Sequence, residues 1–150
     1  MRKALIAFMI IAHIGLNPQV YQAISEQKYI EEQGLELVKI SCYVPTGNCT
    51  ADGTMPYEGI VSCNREHLGM DCILFDEDFI PIARFQCRDI GGNRLLREGK
   101  AIDVFRTDMS RAKAFINEHP AHMYIKWISR DFEGEIELPE HLQSLEIDKD

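Results

Sequence analysis

The sequence predicts a small, mainly β protein: a closed or partly closed barrel of six short strands, with one helix inserted late in the chain. Three observations carry this. Short apolar runs rich in β-branched and aromatic residues recur between residues 35 and 129, each ended by Gly, Pro, Asn or Asp. One later stretch, 107–119, switches to a helical period. Strands this short leave edges that closure into a barrel protects.

The first strand is LELVKISCYV, which stops at Pro45. PTGNCTADGTMPYEG follows as an ordered loop, dense in Gly, Pro, Asn and Asp. GIVSC is a second strand and NREHLG a turn. MDCILF and FIPIARFQC are the third and fourth strands, joined through Asp76-Glu77-Asp78, an acidic cluster suited to a solvated hairpin tip. AIDVF, almost wholly apolar, reads as a strand buried on both sides. The helix then starts at Thr107 or Asp108 and stops before Pro120, with Met109, Ala112, Phe115 and Ile116 as its apolar stripe. HMYIKWIS closes the set, with Met123, Ile125 and Trp127 on one face. Trp127 fits a core or rim position, and His67, His119 and His122 fit the surface.

A length of 150 residues suits one core and one domain, spanning 35–129. The formal charge is −8, but eight acids and two bases in 130–150 supply −6 of it. That stretch reads as a loosely packed acidic tail. The rest is nearly neutral and offers no basic surface for a phosphate backbone, which excludes nucleic acid as a partner. At the other end, Arg2 and Lys3 precede an apolar run from Ala4 to Leu16. As a helix it would span roughly 20 Å, short of a bilayer core of about 30 Å. Residues 1–16 therefore read as a signal peptide or short anchor, which makes the protein exported and confines any membrane contact to that segment. Residues 17–34 are polar and weakly helix-periodic, a tether or short helix closed by Gly34.

Five cysteines, Cys42, Cys49, Cys63, Cys72 and Cys87, lie close together in the sequence. Export permits disulfides, the odd count leaves at least one thiol over, and spacing ranks none of the pairings. Cys63, His67 and Cys72 form a zinc alternative, but without the tight C-x2-C knuckle such sites use. No metal or cofactor is therefore expected. One segment raises a sharper question. CRDIGGNRLLREGKAIDVF sets Asp89 and Asp103 around Gly91, Gly92 and Gly99. It is either a surface hairpin or a fold-back that joins two carboxyls for proton transfer.

Together with Thr50-Ala51-Asp52-Gly53, Asp89-Ile90-Gly91-Gly92, Gly99 to Phe105 and the final MYIKWI, that segment resembles the 3D domain. This family is named for three aspartates and occurs in bacterial cell-wall lytic transglycosylases. The resemblance covers residues 40–129 and implies a double-psi β-barrel. It departs from the family at three points. Asn64 stands at the first aspartate, the connection through Arg94 to Glu98 is lengthened, and Glu98 replaces a lysine.

The resemblance further implies a peptidoglycan glycan strand as partner and cleavage of the MurNAc–GlcNAc β-1,4 bond with a 1,6-anhydro product. One carboxylic acid suffices for this chemistry, serving as acid and then as base. Asp103, between Ile102 and Val104, matches the catalytic position, and Asp89 is the neighbour that raises its pKa or orients the sugar. Tyr43, Thr50 and Asn64 are expected as hydrogen-bonding groups of the groove. Gly91 and Gly92 are expected where backbone must approach the glycan. The alternative is a non-catalytic, expansin-like glycan-binding barrel, which Asn64 and the longer loop favour.

Overall fold

The computed structural model of the chain describes residues 17–134. The expected signal segment 1–16 and the tail beyond residue 134 lie outside that range. The chain divides into a segment ending at Leu35 and a second unit from Glu36 onward.

In the first unit, the polar stretch is one continuous helix, α1 (Pro18–Gln33). Its signals sit at the ends rather than in an apolar period. Asn17 accepts the Gln19 N–H as N-cap, Pro18 occupies the first turn, and Gly34 closes the helix at φ 65°. Side-chain pairs one turn apart, Gln22–Glu26 and Gln27–Glu31, support the exposed surface between. Among the described residues, no helix is long and apolar enough to cross a membrane.

The second unit is a closed barrel of six strands: β1 (Glu36–Tyr43), β2 (Ile60–Cys63), β3 (Asp71–Phe75), β4 (Pro81–Ile90), β5 (Ala101–Phe105) and β6 (His122–Ile128). All six fall where the sequence puts them. Their order around the barrel is β1-β5-β2-β4-β3-β6. The β1/β5 and β2/β4 pairs are parallel, and the other four are antiparallel. Two parallel pairs in so small a mixed barrel oblige the chain to cross over twice, as a double-psi path does. The interior is filled by alternate residues of the strands, among them Val38, Val61, Leu74, Phe85, Val104 and Ile125.

The connections carry the remaining structure. Asp76 Oδ1 accepts from the N–H groups of Asp78 and Ile80 at 3.0 and 2.8 Å, making the acidic cluster the hairpin tip it was expected to be. The connection between β4 and β5 holds a short helix, α2 (Arg94–Arg97), capped by Asn93 and packed on β2 and β5. The late helix, α3 (Met109–Glu118), is capped by Asp108 and lies against β1. Its buried stripe is narrower than expected: Ala112 and Phe115 face inward, whereas Met109 and Ile116 are exposed.

The start of the acidic stretch is not loose. Asp71, 2% exposed, binds Arg84 Nε at 2.9 Å and Arg130 Nε at 3.4 Å. Arg84 also donates to the carbonyls of Arg130 and Phe132. A buried carboxylate needs such partners, and here they fasten the chain beyond β6 onto the barrel.

Cys63 and Cys87 form a disulfide between β2 and β4, with Cα atoms 6.2 Å apart. Cys42, Cys49 and Cys72 are free. Because Cys63 is bonded to Cys87, the Cys63/His67/Cys72 zinc alternative is not assembled. The bridge spans 24 residues of sequence, so losing it in a Cys63→Ala/Cys87→Ala variant should reduce stability by about 3 kcal/mol. Urea unfolding measures this, and reductant in the denaturation series should bring the wild type toward the same midpoint.

Candidate active site

The site is set by strand register. On β5, Ile102 and Val104 point into the barrel, so Asp103 between them points out. On β2, Val61 and Cys63 point in and Ser62 points out. Ser62 pairs with Asp103 across the β2/β5 ladder. On its other side, β2 pairs Val61 with Cys87 and then Ser62 with Asp89, leaving Arg88 as one extra residue on β4. That bulge puts Asp89 beside Ser62. Strand spacing places the backbones of Asp89 and Asp103 about 10 Å apart, with Ser62 midway. Segment 87–105 is therefore no hairpin, because β2 lies between its two strands.

A fourth residue completes the row, since Ser41 on β1 pairs with Asp103 from the far side. Its hydroxyl also donates to the Ile102 carbonyl at 3.5 Å. Ser41 and Ser62 were not among the expected site residues. The signal was present in strand alternation: each serine sits between inward-facing apolar or cysteine positions.

The two carboxyls differ in their surroundings. Asp89 Oδ1 accepts the N–H groups of Ala51 at 3.0 Å and Ile90 at 2.9 Å. Asp103 Oδ1 is buried without a hydrogen-bond partner. Burial raises the Asp103 pKa; the Ser41 hydroxyl works against this, and the negative charge of Asp89 adds to it. Tyr43 completes the group, its ring edge-on to Phe105 at 5.3 Å. The Tyr43 hydroxyl is buried, and burial followed by the charges of Asp89 and Asp103 holds it protonated. Behind them, burial pushes the Cys42 thiol up to about 11, with Arg106 opposing and Asp103 and Glu58 reinforcing.

Thr50, Asn64 and Gly91 have internal partners. The buried Thr50 hydroxyl lies 2.8 Å from Asp52 Oδ1 and 2.9 Å from the Thr54 carbonyl, inside its own loop. Asn64, 8% exposed, accepts the His67 N–H at 3.1 Å and caps the turn Arg65–His67. Its amide nitrogen also lies 3.0 Å from where a Cβ on Gly99 would stand. A Cβ on Gly91 would meet the Leu96 side chain at 2.1 Å, so that glycine makes room for α2. Gly92 faces open space. The structure thus brings Tyr43, Asp89 and Asp103 together and leaves only Gly92 open among the two glycines.

His67 is not the surface residue expected. Its ring stacks on Trp127 at 4.0 Å and 8°, and burial lowers its pKa. Trp127 packs against the core. Among the described residues, no group of three His, Cys, Asp or Glu side chains gathers to hold a metal ion. No protein-family model matches the chain, and no curated protein does.

Two measurements probe the site without turnover. Asp103 has a folded pKa above its unfolded value of about 3.9, so the folded state holds the proton more tightly. The contribution of Asp103 to stability is then fully present below about pH 4 and is lost as pH rises through the folded pKa. Urea midpoints of the wild type should fall across that window relative to Asp103→Asn, which lacks the titration. Separately, Gly91→Ala should destabilise by about 1–3 kcal/mol. In combination with Leu96→Ala the loss should be smaller than the sum of the two single changes.

Proposed function

We propose that this chain is a peptidoglycan-cleaving enzyme of the 3D-domain type, a lytic transglycosylase acting on the cell-wall glycan strand outside the cytoplasm. One observation carries the reading. The barrel register sets Asp103 and Asp89 on one face with Ser62 between them, and burial raises the Asp103 pKa. A general acid needs its proton before it meets its substrate.

The chemistry then runs through one residue. Asp103 gives its proton to the glycosidic oxygen as the bond from MurNAc C1 to that oxygen breaks, releasing GlcNAc with a new hydroxyl. The Asp103 carboxylate takes the proton from the C6 hydroxyl of the same MurNAc. The C6 oxygen bonds to C1, closing the 1,6-anhydro ring and returning Asp103 to its acid form. No water is consumed and no cofactor enters. Asp89 stands one strand beyond Ser62 on the same face as the acid, and Gly92 leaves backbone open to the glycan strand. The Cys63–Cys87 disulfide suits an oxidising compartment, and the charged, apolar start of the chain suits export.

Asn64 favours a second reading, a glycan-binding barrel without catalysis. Its side chain caps a turn instead of supplying a third carboxyl. The two readings separate by experiment. Incubated with purified murein, the wild type should release muropeptides with 1,6-anhydro ends, detected by mass spectrometry. Asp103→Asn should lower that release by about 10²-fold or more with the fold intact. Sedimentation of the wild type with murein sacculi without soluble product, unchanged in Asp103→Asn, would establish the binding barrel instead.

A further inference from the structure

The loop that carries Thr50-Ala51-Asp52-Gly53-Thr54 is locked to the bulge that aims Asp89. Asp52 is the centre of the lock. Its Oδ1 accepts from the Thr50 hydroxyl at 2.8 Å and the Thr54 N–H at 3.1 Å, and it also takes the Thr54 hydroxyl. Its Oδ2 binds Arg88 Nη1 at 2.9 Å, and its own N–H donates to the Arg88 carbonyl at 3.2 Å. Arg88 is the extra residue of the bulge. Its Nε donates to Gln86 Oε1 at 2.8 Å, an oxygen that also receives the Tyr57 hydroxyl at 2.7 Å. The guanidinium therefore has a fixed place on β4. With the turn closed by Asp52 and pinned to Arg88, the next N–H in the loop, that of Ala51, meets Asp89 Oδ1.

We propose that Asp52, acting with Arg88, is a positioning residue for the carboxyl pair: it holds the loop so that the Ala51 N–H fixes the Asp89 carboxyl in its place in the row Asp89, Ser62, Asp103. This rests on the reading of Asp103 and Asp89 as the working pair. It adds two residues that touch neither the reacting bond nor Asp103. A purely structural role for Asp52 would stabilise the loop and leave the Asp103 proton unaffected. A positioning role couples the two.

The sign follows from geometry. The ionisable groups around Asp103 are Asp89 from β4 and Cys42 and Tyr43 from β1, with Arg106 and Glu58 beyond Cys42. Freeing the loop lets Asp89 turn away, which weakens the repulsion that keeps Asp103 protonated. That lowers the pH at which Asp103 loses its proton.

The test uses the full chain with carbon-13-labelled aspartate. In Asp52→Ala, the Asp103 carboxyl midpoint should fall, and the Ala51 amide should exchange with solvent about tenfold faster or more. Asp52→Asn keeps the Oδ1 acceptor for the turn and should restore most of the Ala51 protection. Arg88→Gln keeps Asp52 intact and provides a second approach to the same lock, should Asp52→Ala unfold. Where the wild type turns over murein, the alkaline limb of the kcat profile should move to lower pH in step with the midpoint, with KM near the wild-type value. An unchanged Asp103 midpoint in folded Asp52→Ala or Arg88→Gln overturns the inference. Absence of anhydro product from the wild type overturns the proposed function instead, and the two failures are read from different measurements.

Discussion

A single extra residue on β4 governs the arrangement of this barrel's polar face. With uninterrupted pairing from Val61 and Cys87, Ser62 would lie opposite Arg88, and Asp89 would point inward with Cys87. A carboxylate there would stand unpaired among Val61, Val104 and Phe85, a burial that costs several kcal/mol. The bulge at Arg88 moves Asp89 to the outer face instead. It is held from both sides. Beneath it, the Cys63–Cys87 bridge ties β2 to β4 across the irregular step. Above it, the Asp52 loop grips Arg88.

The two carboxyls that result are neighbours with opposite surroundings. Asp89 has backbone donors on one oxygen and an open loop edge around it. Asp103 lies deeper, with one buried oxygen that no donor reaches. A carboxyl with fewer donors holds its proton more tightly, because its ionised form is less supported, and burial with the Asp89 charge raises the Asp103 pKa in this way.

Much of this was legible in the sequence. Six strands and the late helix announce themselves by period and by Gly, Pro and Asp punctuation. Asp103 between Ile102 and Val104 needs only strand alternation to be placed on the outer face. Ser41 and Ser62 follow from the same alternation, once the neighbours of β5 are known. Those neighbours were the illegible part. Strand order is decided by crossovers between distant segments, so the meeting of Cys63 with Cys87, and of Ser62 with both aspartates, has no local signature. A one-residue bulge leaves none either. Helix α1 was one of two readings, tether or short helix, because its information lies in Asn17, Pro18 and Gly34 at its ends and not in an apolar period. Asn64 was expected in the groove, whereas its local context, an Asn ahead of a short turn, already described a cap.

The connection through Arg94 to Glu98 contributes to the same face of the barrel. Those residues wind into α2, which packs over β2 and β5, the strands carrying Ser62 and Asp103. Leu96 is buried there and occupies the space a side chain on Gly91 would need. The charged residues of the stretch stay outward, where Glu98 bridges Arg94 and Lys100. The connection therefore adds an apolar cover over the strands of the acid without bringing a cation against it.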